Sequence, residues 1–296
     1  MNYIKLLSAQ NRYSTVKEML FRIINGLSAY VAAWLIIFGA YQLSGAYISN
    51  LLFHIPAKVF SCYNVYFPGG HSWTNLAIVV TFGIGPIFAG LIIIMIANII
   101  GKLPGPDRSV FREFIGWIRI HAITLIFGNI IAGVISGFGA AHALRIMFGT
   151  SVLAMGAIGF FCLAALIGIC FLITENYVTD IISRRSLGDD AATPHMWIST
   201  IGSWLVGGCI IFLIVFSRVP IASIPMQNLV LYWLTVIPPV VFMAHFKSTQ
   251  FNSKANGYTM AYSQSCKPVK FSIIMFGVFL CACTGWHFLF ARGLRV

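Results

Sequence analysis

An all-α bundle of membrane-spanning helices is the fold class this sequence predicts, and three observations predict it. Of 296 residues, 59% are hydrophobic and only 9% are charged, and the mean hydropathy is +0.88. Those proportions lie far outside the soluble range. The apolar residues also fall into unbroken runs such as "LAIVVTFGIGPIFAGLIIIMIANII", whereas transmembrane strands would give short alternating segments.

A helix needs about 20 residues to cross a hydrocarbon core, and seven runs pass that test, near 24–50, 76–100, 114–138, 147–174, 197–217, 227–246 and 271–291. They form a single transmembrane domain, 24–296, behind an N-terminal segment, 1–23, that is cytoplasmic or interfacial. That segment, "MNYIKLLSAQNRYSTVKEMLFR", carries Lys5, Arg12, Lys17 and Arg22 and is too long and too interrupted for a secretory n-region. Its Ile4, Leu7, Val16, Leu20 and Phe21 recur loosely at helical spacing, so it reads as a surface helix or as a frayed tail.

The first span should end near His54, because Pro56 lacks an N–H and clashes with the preceding turn. "SCYNVYFPGGHSWTN" then has the Tyr, Trp, Pro-Gly and Asn content of an interfacial loop. Span two holds Gly83, Gly85 and Pro86, and span six holds Pro238 and Pro239. Each should bend or unwind and release backbone carbonyls in the membrane. With span four as a linker, spans one to three and five to seven form two triplets whose middle member is kinked. In permeases such kinks hold substrate, and a site here would be lined by neutral groups such as Asn98, Asn129, Ser136, Ser203, Tyr232 and Thr235. Ordinary tolerance of proline and glycine in membrane helices is the preferred account.

Span three and its outer turn, "GNIIAGVISGFGAAHA", bring Gly128, Gly133, Gly137 and Gly139 together, which admits a close neighbour and marks a central helix. Cys162, Cys170, Cys209, Cys281 and Cys283 lie within spans, and no disulfide framework follows. The longest inner loops, "ENYVTDIISRRSLGDDAATPHM" and "FKSTQFNSKANGYTMAYSQSCKPVK", are too short for a folded domain. No Walker A, G-x-S-x-G or EF-hand pattern occurs.

Placing the N-terminus inside gives inner segments fourteen Lys and Arg residues and outer segments five, namely Lys58, Arg145, Arg218, Arg292 and Arg295. This obeys the positive-inside rule and puts the C-terminus outside. All seven acids fall in inner segments or at span edges, and no span is expected to carry a buried ion pair. Ion pumps and intramembrane hydrolases need a carboxylate in the membrane as carrier, ligand or base. The net charge of +12 is spread over loops, so it points to topology and anionic lipid headgroups and not to nucleic acid.

"FHIPAKVF" followed by "FGIGPIFAG" resembles the site-2 family of intramembrane metalloproteases, in which H-E-x-x-H on the first core helix precedes a Gly-Pro helix. The resemblance covers residues 45–100. It implies that Ile55 stands where the general base would be and Lys58 where a zinc ligand would be, leaving neither water activation nor metal binding. No Asp in a later span supplies a third ligand. The resemblance implies an inactive relative, not a working protease.

Histidines provide the other ligand candidates. His121 and His245 come near the inner ends of spans three and six, and His54, His142 and His287 near the outer side. Haem b held across a bundle needs two axial histidines at matched depth, which allows His121 with His245, or His54 or His142 with His287. Structural hydrogen bonding is the preferred role. The sequence therefore reads as a non-catalytic inner-membrane protein of bacterial type without a cofactor, either an embedded subunit among other membrane subunits or a permease for a neutral solute. The alternative is a degenerate protease-like protein or a membrane redox subunit holding zinc or haem b.

Overall fold

A computed structural model of the chain describes residues 2–60, 64–67, 69–70, 72–100, 108–137, 139–149, 151–182, 198–216, 230–231, 233–237, 270–290 and 294–295. Helices dominate, as the composition requires. Four of them are long and apolar enough to cross a membrane, over Met19–Phe53, Asn75–Ile100, Val110–Ser136 and Val152–Ile169, and two shorter apolar helices cover Thr200–Ile214 and Ile273–Leu289.

Helix α1 runs unbroken from Asn2 to Phe53. It stops where the sequence says it should, and the stop is built by His54. This residue takes a left-handed φ of 55° and donates its N–H to the Asn50 carbonyl at 3.0 Å, an αL cap followed directly by proline. Ser49 Oγ lies 2.8 Å from the Ala46 carbonyl and 3.2 Å from that of Ile55, and so ties the reversal to the helix.

The second span begins with α2 (Asn75–Val79), whose N-cap Thr74 accepts from the Ala77 N–H at 3.1 Å. A π-helical turn, Val80–Ile84, leads into α3, Gly85–Ile100. The bend or unwinding expected at Gly83, Gly85 and Pro86 is met here by a π turn within a continuous helix. Proline at 86 offers no N–H to its fourth-preceding carbonyl, and the Gly85 N–H instead reaches five residues back to Val80. One wide turn absorbs the break, so residues 75–100 stay helical throughout.

Helix α4 (Arg108–Ser136) ends at Gly137, with φ 70°, and Gly139, with φ 64°, opens the short α5, Ala140–Phe148. The fourth span was expected from 147. Gly149 at φ 75° breaks the chain there, and α6 runs from Val152 to Ile182. A second π turn, Ile198–Gly202, precedes α7, Ser203–Phe216. Residues 230–237 include short helical stretches within the expected sixth span, while Pro238, Pro239 and His245 lie outside the described residues. Helix α8 covers Ile273–Phe290 and is capped by Ser272, which accepts from the Met275 N–H at 3.2 Å.

The loop after α1 holds structure its composition did not announce. Strand β1 (Lys58–Phe60) pairs antiparallel with β2 (Asn64–Tyr66) and, on its other edge, with β3 (Leu294–Arg295), in the order β2-β1-β3. Three residues are too few to show a period of two, yet Val59, paired with Val65 and Leu294, is completely buried. The strand β3 is thereby tied to the C-terminal end of α1.

The core forms around α1 and α4. Helix α1 is buried on nearly every side from Ala29 to Phe38, as expected of a helix apolar all round. α3 and α6 lie at the periphery and expose Phe88, Met95 and Ile99, and Leu153, Phe160 and Phe161. The central place foreseen for span three is shared with span one.

Candidate functional site

The buried polar side chains gather along the seam between α1 and α4. Near the N-terminal end of α4 the Arg22 guanidinium attracts the Glu113 carboxyl. Both residues have buried polar atoms. Asn25, 2% exposed, donates to the Lys270 carbonyl and accepts from the Ser272 N–H, both at 3.0 Å, and so clamps the start of α8 onto α1.

Higher on the seam lies a knot of aromatic and hydroxyl groups. The Tyr30 ring stands edge-on to Trp117 and to His121, each at 4.8 Å, and Trp117 stacks on His121 at 5.9 Å. From the other side, α7 offers Gly207 to the Tyr30 ring, and Gly208 to the Trp233 indole. Trp233 stacks on Trp204 at 4.5 Å and meets Phe212 edge-on at 5.5 Å. Gly128 is approached by the Thr235 hydroxyl and by Thr124. Only glycine leaves room for such approaches. The Tyr30 hydroxyl and the Trp233 indole N–H face each other outside hydrogen-bond geometry.

Above the knot, Tyr41 pairs with the Asn129 side chain. The pairs Arg22 with Glu113, Tyr30 with His121, and Tyr41 with Asn129 ascend both helices together, so α1 and α4 run parallel. α8 does the same. Phe21 meets Phe271 at 6.0 Å, and Trp34 and Phe38 meet Trp286 at 6.2 and 6.0 Å.

The sequence candidates separate against this background. His121 is fully buried and its imidazole interacts with the Tyr30 main chain. It lies in the N-terminal half of the apolar stretch Val110–Ser136. His54 and His287 are exposed, and the side chain of His142 lies outside the described set, as does all of His245. Asn129 belongs to the seam, but Asn98 is exposed on α3. Gly83 and Gly85 serve helix contacts: a Cβ at Gly83 would stand 3.1 Å from Ala143 Cβ, and one at Gly85 2.8 Å from Ile48 Cδ1. Pro86 follows the π turn, next to Gly85. His54 and Lys58, which carry the protease resemblance, sit on different elements, one capping α1 and the other opening β1.

Among the described residues no three His, Cys, Asp or Glu side chains converge as a metal site. The parts of the knot that composition alone did not single out are Tyr30, Trp117, Trp204, Gly207, Gly208 and Trp233. The adjacent glycines at 207 and 208 carry no mark in the sequence that sets them apart from other glycines in apolar runs. No family model matches the chain, and no curated protein or solved structure matches it.

Proposed function

We propose that the chain is a non-catalytic, membrane-embedded subunit of a larger assembly in a bacterial-type inner membrane. It crosses seven times, with its N-terminus inside and its C-terminus outside. The parallel course of α1, α4 and α8 supports this count, since spans one, three and seven must cross in one direction. The pairing of β1 with β3 supports it too, because both must then lie on the outer side. Lipids with anionic headgroups fit the basic inner loops.

The length of α1 is the observation that carries the subunit reading. Its apolar stretch begins at Met19, but the helix begins at Asn2, which leaves an arm of about 25 Å at 1.5 Å per residue. An isolated helix of that length is marginal in water, so it needs a surface to lie against. Partner subunits supply one. The full chain and a chain lacking residues 2–15 are to be purified from native membranes. A stoichiometric partner present with the first and lost with the second is the expected result, and a full chain that comes out alone overturns the reading.

A second reading, a permease for a neutral solute, is favoured by the uncharged polar groups on the upper seam. Uptake by the chain reconstituted alone would establish it. A stoichiometric zinc content or a Soret band in the purified protein would instead favour the protease-like or haem reading.

A further inference from the structure

Four helical segments meet at the knot, and three of the polar atoms they bring to it can donate a hydrogen bond. Thr124 is fully buried, Ser203 is 2% exposed and Trp204 is 8% exposed. The two hydroxyls and the indole N–H of these residues make no hydrogen bond with any described residue. Ser203 lies one turn before Gly207 on α7, on the face that meets Tyr30, and Thr124 lies one turn before Gly128 on α4, on the face that meets Thr235. The indole only donates, whereas a hydroxyl can donate or accept. A counterpart that serves all three groups is therefore an acceptor.

Buried polar groups in native proteins are almost always paired, and the exceptions point to a bound molecule. In hydrocarbon the penalty for an unpaired donor is at its highest. Among the described residues no Asp, Glu, Lys or Arg belongs to the knot, so none of them balances an ionised ligand there. We propose that the knot between α1, α4, α7 and residues 233–237 is a binding site for a small uncharged molecule. That molecule accepts hydrogen bonds through oxygen, from the hydroxyls of Thr124 and Ser203 and the indole of Trp204. A water molecule and the carbonyl oxygen of a small neutral compound share this chemistry.

The sign of a stability change tests the site. Thr124→Val and Ser203→Ala remove one donor each with little change of shape. Idle donors are a burden, and their loss leaves the midpoint of thermal unfolding unchanged or raises it. Donors that hold a ligand are not, and each loss lowers the midpoint, by several degrees in the full-length protein in detergent, while Thr124→Ser restores most of it. Thr284→Val on α8, whose hydroxyl already bonds the Leu280 carbonyl at 2.6 Å, provides the control for handling a threonine in a span. Should Thr124→Val fail to accumulate, Ser203→Ala decides alone. Mass spectrometry of the extract released on denaturing the wild type distinguishes the sources. A stoichiometric neutral compound that is lost in the double variant identifies a carbonyl ligand, and a lowered midpoint without such a compound identifies water. Unchanged or raised midpoints in both variants overturn the proposal.

Discussion

Gly207 and Tyr30 show how much of this core depends on the absence of a single carbon atom. A Cβ at 207 would occupy space the Tyr30 ring already fills, and overpacking of that kind costs about 1–3 kcal/mol. Gly207→Ala is expected to destabilise the protein by that amount in detergent unfolding. Tyr30→Phe should not relieve the clash, because the ring remains, whereas Tyr30→Leu should relieve part of it. Asn25 makes a second residue-level case. Asn25→Ala leaves the Ser272 N–H and the Lys270 carbonyl without their partner, a loss of about 1–3 kcal/mol for buried groups, while Asn25→Asp keeps the acceptor and should fall between. Neither residue was legible as important. Glycines and an asparagine within apolar runs are common, and only the neighbour each one meets gives it a role. Of the glycines singled out in span three, Gly128 does admit a close neighbour, but Gly137 and Gly139 form a turn with positive φ.

Helix ends were the best-read feature of the individual elements, because they follow local rules. Pro56 stops α1, and the run expected near 271–291 is one helix, Ile273–Phe290. The cap at His54 carries its own prediction. A non-glycine residue pays about 1–2 kcal/mol for left-handed geometry, so His54→Gly is expected to stabilise the protein by up to about 1 kcal/mol and His54→Val to destabilise it. Equilibrium unfolding of the three proteins checks both signs, and a loss of bound metal in His54→Gly would show that the residue is a ligand as well. The π turn was less legible. Hydropathy and the Gly-x-Gly-Pro spacing announce a disturbance near residue 85, but whether the helix unwinds or widens depends on which carbonyl the Gly85 N–H can reach. The β-hairpin was not legible at all, since two three-residue strands are stabilised by a third that arrives from more than 200 residues away.

For the whole molecule, the arrangement makes a directional prediction about topology. In a variant without native cysteines, Tyr66→Cys and Arg295→Cys should react with a membrane-impermeant thiol reagent from the outside, and Lys17→Cys only after permeabilisation. Labelling of positions 17 and 295 from the same side would remove the odd number of crossings. Helical class, and helices long and apolar enough to cross a membrane, were already present in the amino-acid order. They follow from transfer free energies and backbone hydrogen bonding, which act on each segment by itself. Which helices lie at the centre, and that Tyr30, His121, Thr124 and Ser203 share one knot, emerged when the helices packed. In a membrane the tails of the lipids are as apolar as leucine, so hydrophobicity cannot choose between neighbours, and the choice falls to shape and hydrogen bonding between residues far apart in the chain.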